Sequence, residues 1–312
     1  GTRSASHFAA DADLDLDINR EGQFGVVIGD HVTRSDRNIS TPALGYGTLS
    51  LYNDARLKLN IRPYTGSVTI EPGYHFTTEI FSTASGISTC TGTSDASCDP
   101  AKIGAYDYLN HTVNLNGRWK FLPKTAMTLD SAFGARSYIN SGASQGIMTL
   151  KAAIGLAGLL TTHWEVLLRA GWGHDFTAGT YSSIIGQAEV GYLFSETGSI
   201  RAGYVRTFEP TGGAYISFGD DRAYLDARLL LGGKLTVRGG FSFDYLSFRG
   251  ATTEFSQYNV ALDVGADYEI KPWVSIGGHY RLSYLTSPDG SVQVGLSSFV
   301  RNEGGLKLQF IY

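Results

Sequence analysis

The chain has 312 residues, a net charge of −4, 17% charged residues and 39 glycines. This near-neutral balance, with no basic segment, excludes an electrostatic nucleic-acid footprint. The longest run of apolar residues and glycine, Ala152–Leu160, is far short of the ~20 residues a membrane helix needs.

The chain opens on Gly1-Thr2-Arg3 without a signal-peptide pattern, so any targeting segment is expected to have been removed or never included. The first strand signal is Ser6–Arg20, where Phe8, Ala10, Ala12, Leu14, Leu16 and Ile18 alternate with Asp11, Asp13, Asp15 and Asp17. A turn at Arg20-Glu21-Gly22 leads into Gln23–Arg34, and a polar loop, Ser35–Gly45, follows. Tyr46–Tyr64 sets Ala55, Leu57, Leu59 and Ile61 against Arg56, Lys58, Asn60 and Arg62. Val68–Ser82 comes next, and Pro72 within it predicts a bulge or weakened pairing, because proline donates nothing to a ladder.

Thr83–Ala105 is the longest loop and holds Cys90 and Cys98, which predict a loop disulfide and an oxidising compartment. Two free thiols are the other reading. Further pairs are Tyr106–Phe121 with Ala126–Ile139, Gly146–Leu159 with Trp164–Asp175, Tyr181–Phe194 with Ser199–Phe208, and Ala214–Leu231 with Leu235–Phe248. The clearest unit is Gln257–Tyr284. Its strands alternate without a break on either side of Lys271-Pro272, apolar on one face and small, polar or charged on the other. Successive side chains of a strand point to opposite faces, so this pattern is a long hairpin. Ser297–Tyr312 closes the chain.

Short connections follow Arg62, Phe121, Leu160, Phe194, Leu231 and Ile270, whereas longer polar ones follow Arg34, Ser82, Ile139, Asp175, Phe208, Phe248 and Tyr284. Short turns at one end and longer loops at the other, over long strands, is the pattern of an outer-membrane barrel. A soluble sandwich also buries an apolar face. Against it stand strands well above the usual ~5–6 residues. Trp119, Trp164, Trp172 and Trp273 also sit near strand ends, as membrane-interface aromatics do. The expected fold is therefore all-β, a single-domain transmembrane antiparallel up-and-down β-barrel of 14–16 strands, integral to the bacterial outer membrane. Counting back from a descending last strand makes Ser6–Arg20 a fifteenth. Single-chain bacterial barrels normally have even numbers, so either a further strand precedes Ser6–Arg20, making sixteen, which is favoured, or that segment is not a barrel strand.

The final segment, Gly305-Leu306-Lys307-Leu308-Gln309-Phe310-Ile311-Tyr312, resembles the terminal strand signal read by the outer-membrane assembly machinery, with Phe310 and Tyr312 as its aromatics. Asn116-Gly117-Arg118-Trp119-Lys120-Phe121-Leu122-Pro123-Lys124-Thr125-Ala126 is similar to a strand–turn–strand in uncharacterised barrels associated with exopolysaccharide secretion, including those of gliding soil bacteria. Gly29-Asp30-His31-Val32-Thr33-Arg34-Ser35-Asp36-Arg37 looks like the same family. The resemblance implies a part in polysaccharide export, with periplasmic or inner-membrane export partners, and transfers no catalytic residue.

Charges fall on the polar face. Same-face neighbours are ~6.6–6.8 Å apart, so Asp11, Asp13, Asp15 and Asp17 repel unless cations answer them, and they are expected in the lumen. The candidate answers are Arg56, Lys58, Arg62, Arg118, Arg136, Arg169, Arg201 and Arg228, with Lys120, Arg238 and Arg281. One reading is a charged track for a sugar or ionic solute. The other is a ladder of cross-strand ion pairs stiffening the wall. Tyr138 and Tyr224 are the expected inward aromatics, with few others. Seven histidines lie on separate hairpins without metal spacing. Asp30-His31 and His174-Asp175 are adjacent pairs whose side chains should point to opposite faces, so no enzyme, cofactor or metal is expected. The expected function is a channel in an envelope or polysaccharide export system. A non-conducting structural or adhesion barrel is the alternative, and a general diffusion porin the third.

Overall fold

Alternation along the chain becomes one continuous sheet. The computed structural model describes residues 10–35, 48–63, 66–83, 104–140, 146–177, 181–210, 215–250, 254–286 and 299–310. Its strands are β1 (Ala10–Ile18), β2 (Phe24–Ser35), β3 (Thr48–Ile61), β4 (Val68–Thr83) and β5 (Tyr108–Leu122). They continue as β6 (Thr125–Tyr138), β7 (Ile147–Leu159), β8 (Trp164–Asp175), β9 (Tyr181–Ser195) and β10 (Gly198–Pro210). The last five are β11 (Tyr215–Leu231), β12 (Leu235–Gly250), β13 (Glu254–Lys271), β14 (Val274–Thr286) and β15 (Phe299–Phe310). Each pairs antiparallel with the next in sequence order, so the topology is up-and-down throughout. Where parity favours sixteen strands, fifteen are described, and β1 and β15 pair with nothing beyond β2 and β14 among the described residues.

Turn chemistry sets the register. Between β11 and β12, Gly232 and Gly233 have φ of 57° and 68°, a left-handed conformation glycine adopts at no steric cost. In the β13–β14 hairpin Leu262 lies opposite Leu282 and Val264 opposite Tyr280 on the apolar face. On the other face Asp263 lies opposite Arg281, 3.7 Å apart. Pro72 interrupts the ladder as its chemistry requires: β3 and β4 pair as far as Lys58 with Gly73 and resume only at Ile61 with Ile70.

The two faces are told apart by contacts that skip strands. Lys151 of β7 meets Glu209 of β10, and Arg136 of β6 meets the Pro210 carbonyl of β10. Such contacts exist only on a concave side, so the polar face is the lumen. The opposite face exposes Leu57, Leu129, Ile154, Leu168, Val264 and Ile276. A surface this apolar is stable in lipid, where every backbone polar group must be paired within the sheet. Trp119, Trp164, Trp172 and Trp273 are all exposed. The polar groups on this outer face partner one another: Arg206 Nη1 with Asp221 Oδ1 at 2.9 Å, Asn53 Nδ2 with Asp30 Oδ1 at 2.8 Å, and Tyr74 Oη with His111 Nδ1 at 2.7 Å. Mutual pairing is what lowers the cost of polar groups facing hydrocarbon.

Candidate functional site

Lumen-facing positions fall into a polar chamber at the short-turn end and a packed layer at the long-loop end. The chamber, about 1230 Å3, is framed by the β1–β2 turn and by β3 to β10. Around its wall cations meet carboxylates on nearby strands. Lys58 Nζ lies 2.7 Å from Glu71, Arg169 Nε 3.4 Å from Asp130, and Arg201 Nε 2.5 Å from Glu165. Arg62 donates to the Arg20 carbonyl at 2.7 Å. Further round, Arg238 pairs with Asp267, and Tyr224 donates to Glu189.

Three cations of this chamber stand apart. Arg118 and Lys120 on β5, and Lys124 in the β5–β6 turn, line it without an ion pair to any carboxylate among the described residues. Solvent screens exposed charges at these positions, yet Arg118, Lys120 and Lys124 with Arg62, set against Glu21 of the β1–β2 turn, leave this arc net positive.

At the other end the lumen is filled. Glu79 is 6% exposed and accepts from Tyr108 Oη at 2.7 Å. The Arg136 guanidinium lies 3.9 Å above the Tyr108 ring and donates to the Pro210 carbonyl at 3.1 Å. Lys151 Nζ reaches Glu209 Oε1 at 2.6 Å and sits 5.1 Å from the Phe208 ring centre. Phe208 is fully buried and contacts Tyr181 edge-on at 5.6 Å. Phe218, Leu246 and Phe248 cluster with Phe255 beside it. Their polar support is Asp244, 3% exposed, which pairs with Arg222 and accepts from Asn259 at 2.7 Å. Outside the strands, Asp107 accepts the Phe81 amide at 2.8 Å, and burial pushes its carboxyl above the usual carboxylate range.

The charges read as one lumen set are thus spread over three places. Arg62, Arg118, Arg169 and Arg201 line the chamber. Arg136 belongs to the long-loop layer. Asp11, Asp13, Asp15 and Asp17 lie on the edge strand β1, where Arg56 of β3 meets Asp15 at 2.7 Å and Asp13 at 3.2 Å. Arg228 faces Arg238 across the β11–β12 pair, outside the chamber. The expectation of few inward aromatics is corrected. Tyr52 and Tyr108 stand with Glu79 in the long-loop layer, and Phe208, Phe218 and Phe248 fill it alongside them. They sit at the long-loop ends of strands whose middles carry charges, so whole-strand patterning averaged them away. Asp30 and His31 point to opposite faces, Asp30 to Asn53 and His31 to Asp11. Cys90, Cys98 and Tyr312 lie outside the described residues, and of Phe310 the backbone pairing with Val274 is described.

No protein-family model matches the chain, and no curated protein sequence does. Solved structures do. The FrpB iron transporter from Neisseria meningitidis (F5-1 variant, apoprotein form) matches with a TM-score of 0.57 at 10% identity, over 93% of this chain and 53% of that one. The ferric citrate transporter FecA matches at 0.55 and 12%, over 97% and 55%. The ferric yersiniabactin uptake receptor FyuA from Yersinia pestis matches at 0.50 and 10%, over 90% and 52%. The chain is an integral outer-membrane β-barrel. It spans about half the length of these structures.

Proposed function

We propose that this barrel is a gated outer-membrane channel for an anionic polymer, of the polysaccharide class, entering from the periplasmic side. The carrying observation is the arc of Arg118, Lys120 and Lys124, cations without carboxylate partners among the described residues, in the chamber at the short-turn end. Short turns of such barrels face the periplasm. An ion-pair ladder alone has no use for unanswered cations, whereas a polyanion such as a uronic-acid chain would be drawn to them and pass Arg62 beside them. The stretch that resembles exopolysaccharide-associated barrels, Asn116–Ala126, is the strand and turn carrying these three residues. Barrels of the same fold named as iron transporters support a transport role in general, and iron uptake is not carried over at this identity. The layer of Arg136, Lys151, Phe208 and Glu209 serves as the gate.

Planar-bilayer recording tests this. The wild type is expected to be silent or nearly so, and Arg136→Ala with Lys151→Ala to open it with anion preference. Adding Arg118→Glu and Lys120→Glu should reverse that preference. Oligomers of a uronic acid, added on the short-turn side, should block the current at lower concentration than neutral oligosaccharides. A double variant that folds and stays silent would sink the channel and leave a non-conducting scaffold barrel.

A further inference from the structure

The two edges of the sheet run in the same direction, because fourteen antiparallel steps separate β1 from β15. Both edges are open among the described residues. Every residue of β1 is exposed on both faces, whereas an interior strand such as β9 interleaves exposed positions with buried and half-buried ones. On the outer face Leu14 is 69% and Leu306 92% exposed. On the lumen side the Asp11 and Asp13 side chains are 66% and 52% exposed. Unpaired N–H and C=O groups along a strand edge are costly in hydrocarbon, and an open edge is a template for a further strand.

Geometry restricts what that strand can be. Antiparallel pairing with both edges requires one strand, or another odd number, running from the short-turn end to the long-loop end. A second copy of this chain in the same membrane, turned about the membrane normal, offers only edges of the direction already present. It completes no antiparallel seam.

Charge restricts it further. Of the four carboxylates on β1, Asp13 and Asp15 share one cation, Arg56, and among the described residues Asp11 meets His31 alone, at 3.6 Å. Both partners come from the β2–β3 side. The seam side of the row receives nothing from the described residues.

We propose that the seam between β1 and β15 takes a single extended polypeptide strand, apolar at alternate positions outward and basic at the intervening positions facing Asp11, Asp13, Asp15 and Asp17. Nine to twelve residues match the two edges it would join. Main-chain bonds to both edges give affinity, and the acidic row gives register, since a slip of one residue would turn the basic set into lipid.

The probe is a twelve-residue synthetic peptide with Val and Leu alternating with Lys, added to the full 312-residue chain in lipid vesicles. Amide exchange along β1 and β15 is read by mass spectrometry. The Lys peptide should slow exchange at both edges, and the same peptide with Glu in place of Lys should not. In a second arm Cys90 and Cys98 are replaced by serine, and Leu14→Cys and Leu306→Cys are each tested for disulfide formation with a cysteine-bearing Lys peptide. Crosslinks to both positions are expected. Fast exchange at both edges whatever the peptide overturns the proposal. So does protection without peptide, accompanied by a direct disulfide when Leu14→Cys and Leu306→Cys are combined in one chain. That outcome would mean that β1 and β15 close on each other in parallel.

Discussion

Arg136 on β6 donates to the carbonyl oxygen of Pro210 on β10 at 3.1 Å, although three strands lie between them in the sheet. Its guanidinium carbon also lies 3.9 Å from the Tyr108 ring centre. One guanidinium makes both contacts at once, because its several N–H groups spread around a carbon that can sit over the ring. Arg136→Lys keeps the charge and loses this geometry. It should lower stability by about 1–2 kcal/mol, the size of a partly desolvated cation–π contact, as read by urea unfolding in detergent micelles. An unchanged midpoint would mean that the layer does not depend on Arg136.

The same layer is close-packed around Phe208. A Cβ added at Gly173 on β8 would overlap the Phe208 ring. Gly173→Ala is expected to cost roughly 1–3 kcal/mol, the range for forcing extra volume into a filled interior. Gly173→Ala combined with Phe208→Leu should recover part of that loss in the same unfolding assay.

Asp244 is buried and relies on Arg222 and Asn259. Removing the cation in Arg222→Ala leaves a buried carboxylate short of a partner, a loss of roughly 1–3 kcal/mol or more. Arg222→Ala with Asp244→Asn should be less destabilised than Arg222→Ala alone. Equal losses would show the pair to be uncoupled.

Leu168 lies exposed in the middle of β8 on the outer face, and Thr69 on β4 lines the chamber. Arginine at a lipid-facing site costs roughly 2–4 kcal/mol near the midplane. Leu168→Arg should therefore reduce refolding into vesicles, seen as loss of the heat-modifiable band on a gel, and Thr69→Arg should fold normally. The reverse outcome would invert the assignment of the two faces.

Burial raises the Asp107 carboxyl, outside the strands, above its ordinary value. The folded corner then holds its proton more tightly than the unfolded chain. Stability of the corner rises as pH falls through the raised value and declines as pH climbs past it. The exchange protection factor of the Ile139 amide, which donates to the Asp107 backbone carbonyl, should be higher near pH 4 than near pH 7. In Asp107→Asn this dependence should flatten.

Much of the wall was legible in the residues. All fifteen strands coincide with alternating segments, because a period of two leaves one solution for a long chain facing lipid on one side. Pro72 predicted its own gap in the ladder, and the face carrying Arg56, Lys58, Arg118, Arg169 and Arg201 followed from parity. The site was less legible. Arg118 and Arg136 look alike in sequence, both inward cations on neighbouring strands, yet one lines an aqueous chamber and the other caps Tyr108 in a packed layer.

By itself, then, the order of residues determined strand, face and neighbour, all of them local consequences of pleat and turn. Tertiary structure alone decided what meets across the lumen: Arg136 with Pro210, Lys151 with Glu209, and Phe208 over Gly173. It also decided that the acidic row of β1 lies at an open edge and not within the chamber. The reason is curvature. Alternation states which side of the sheet a residue takes, and only the closing of the wall sets its height, its partner several strands away, and whether water or another side chain occupies the space between.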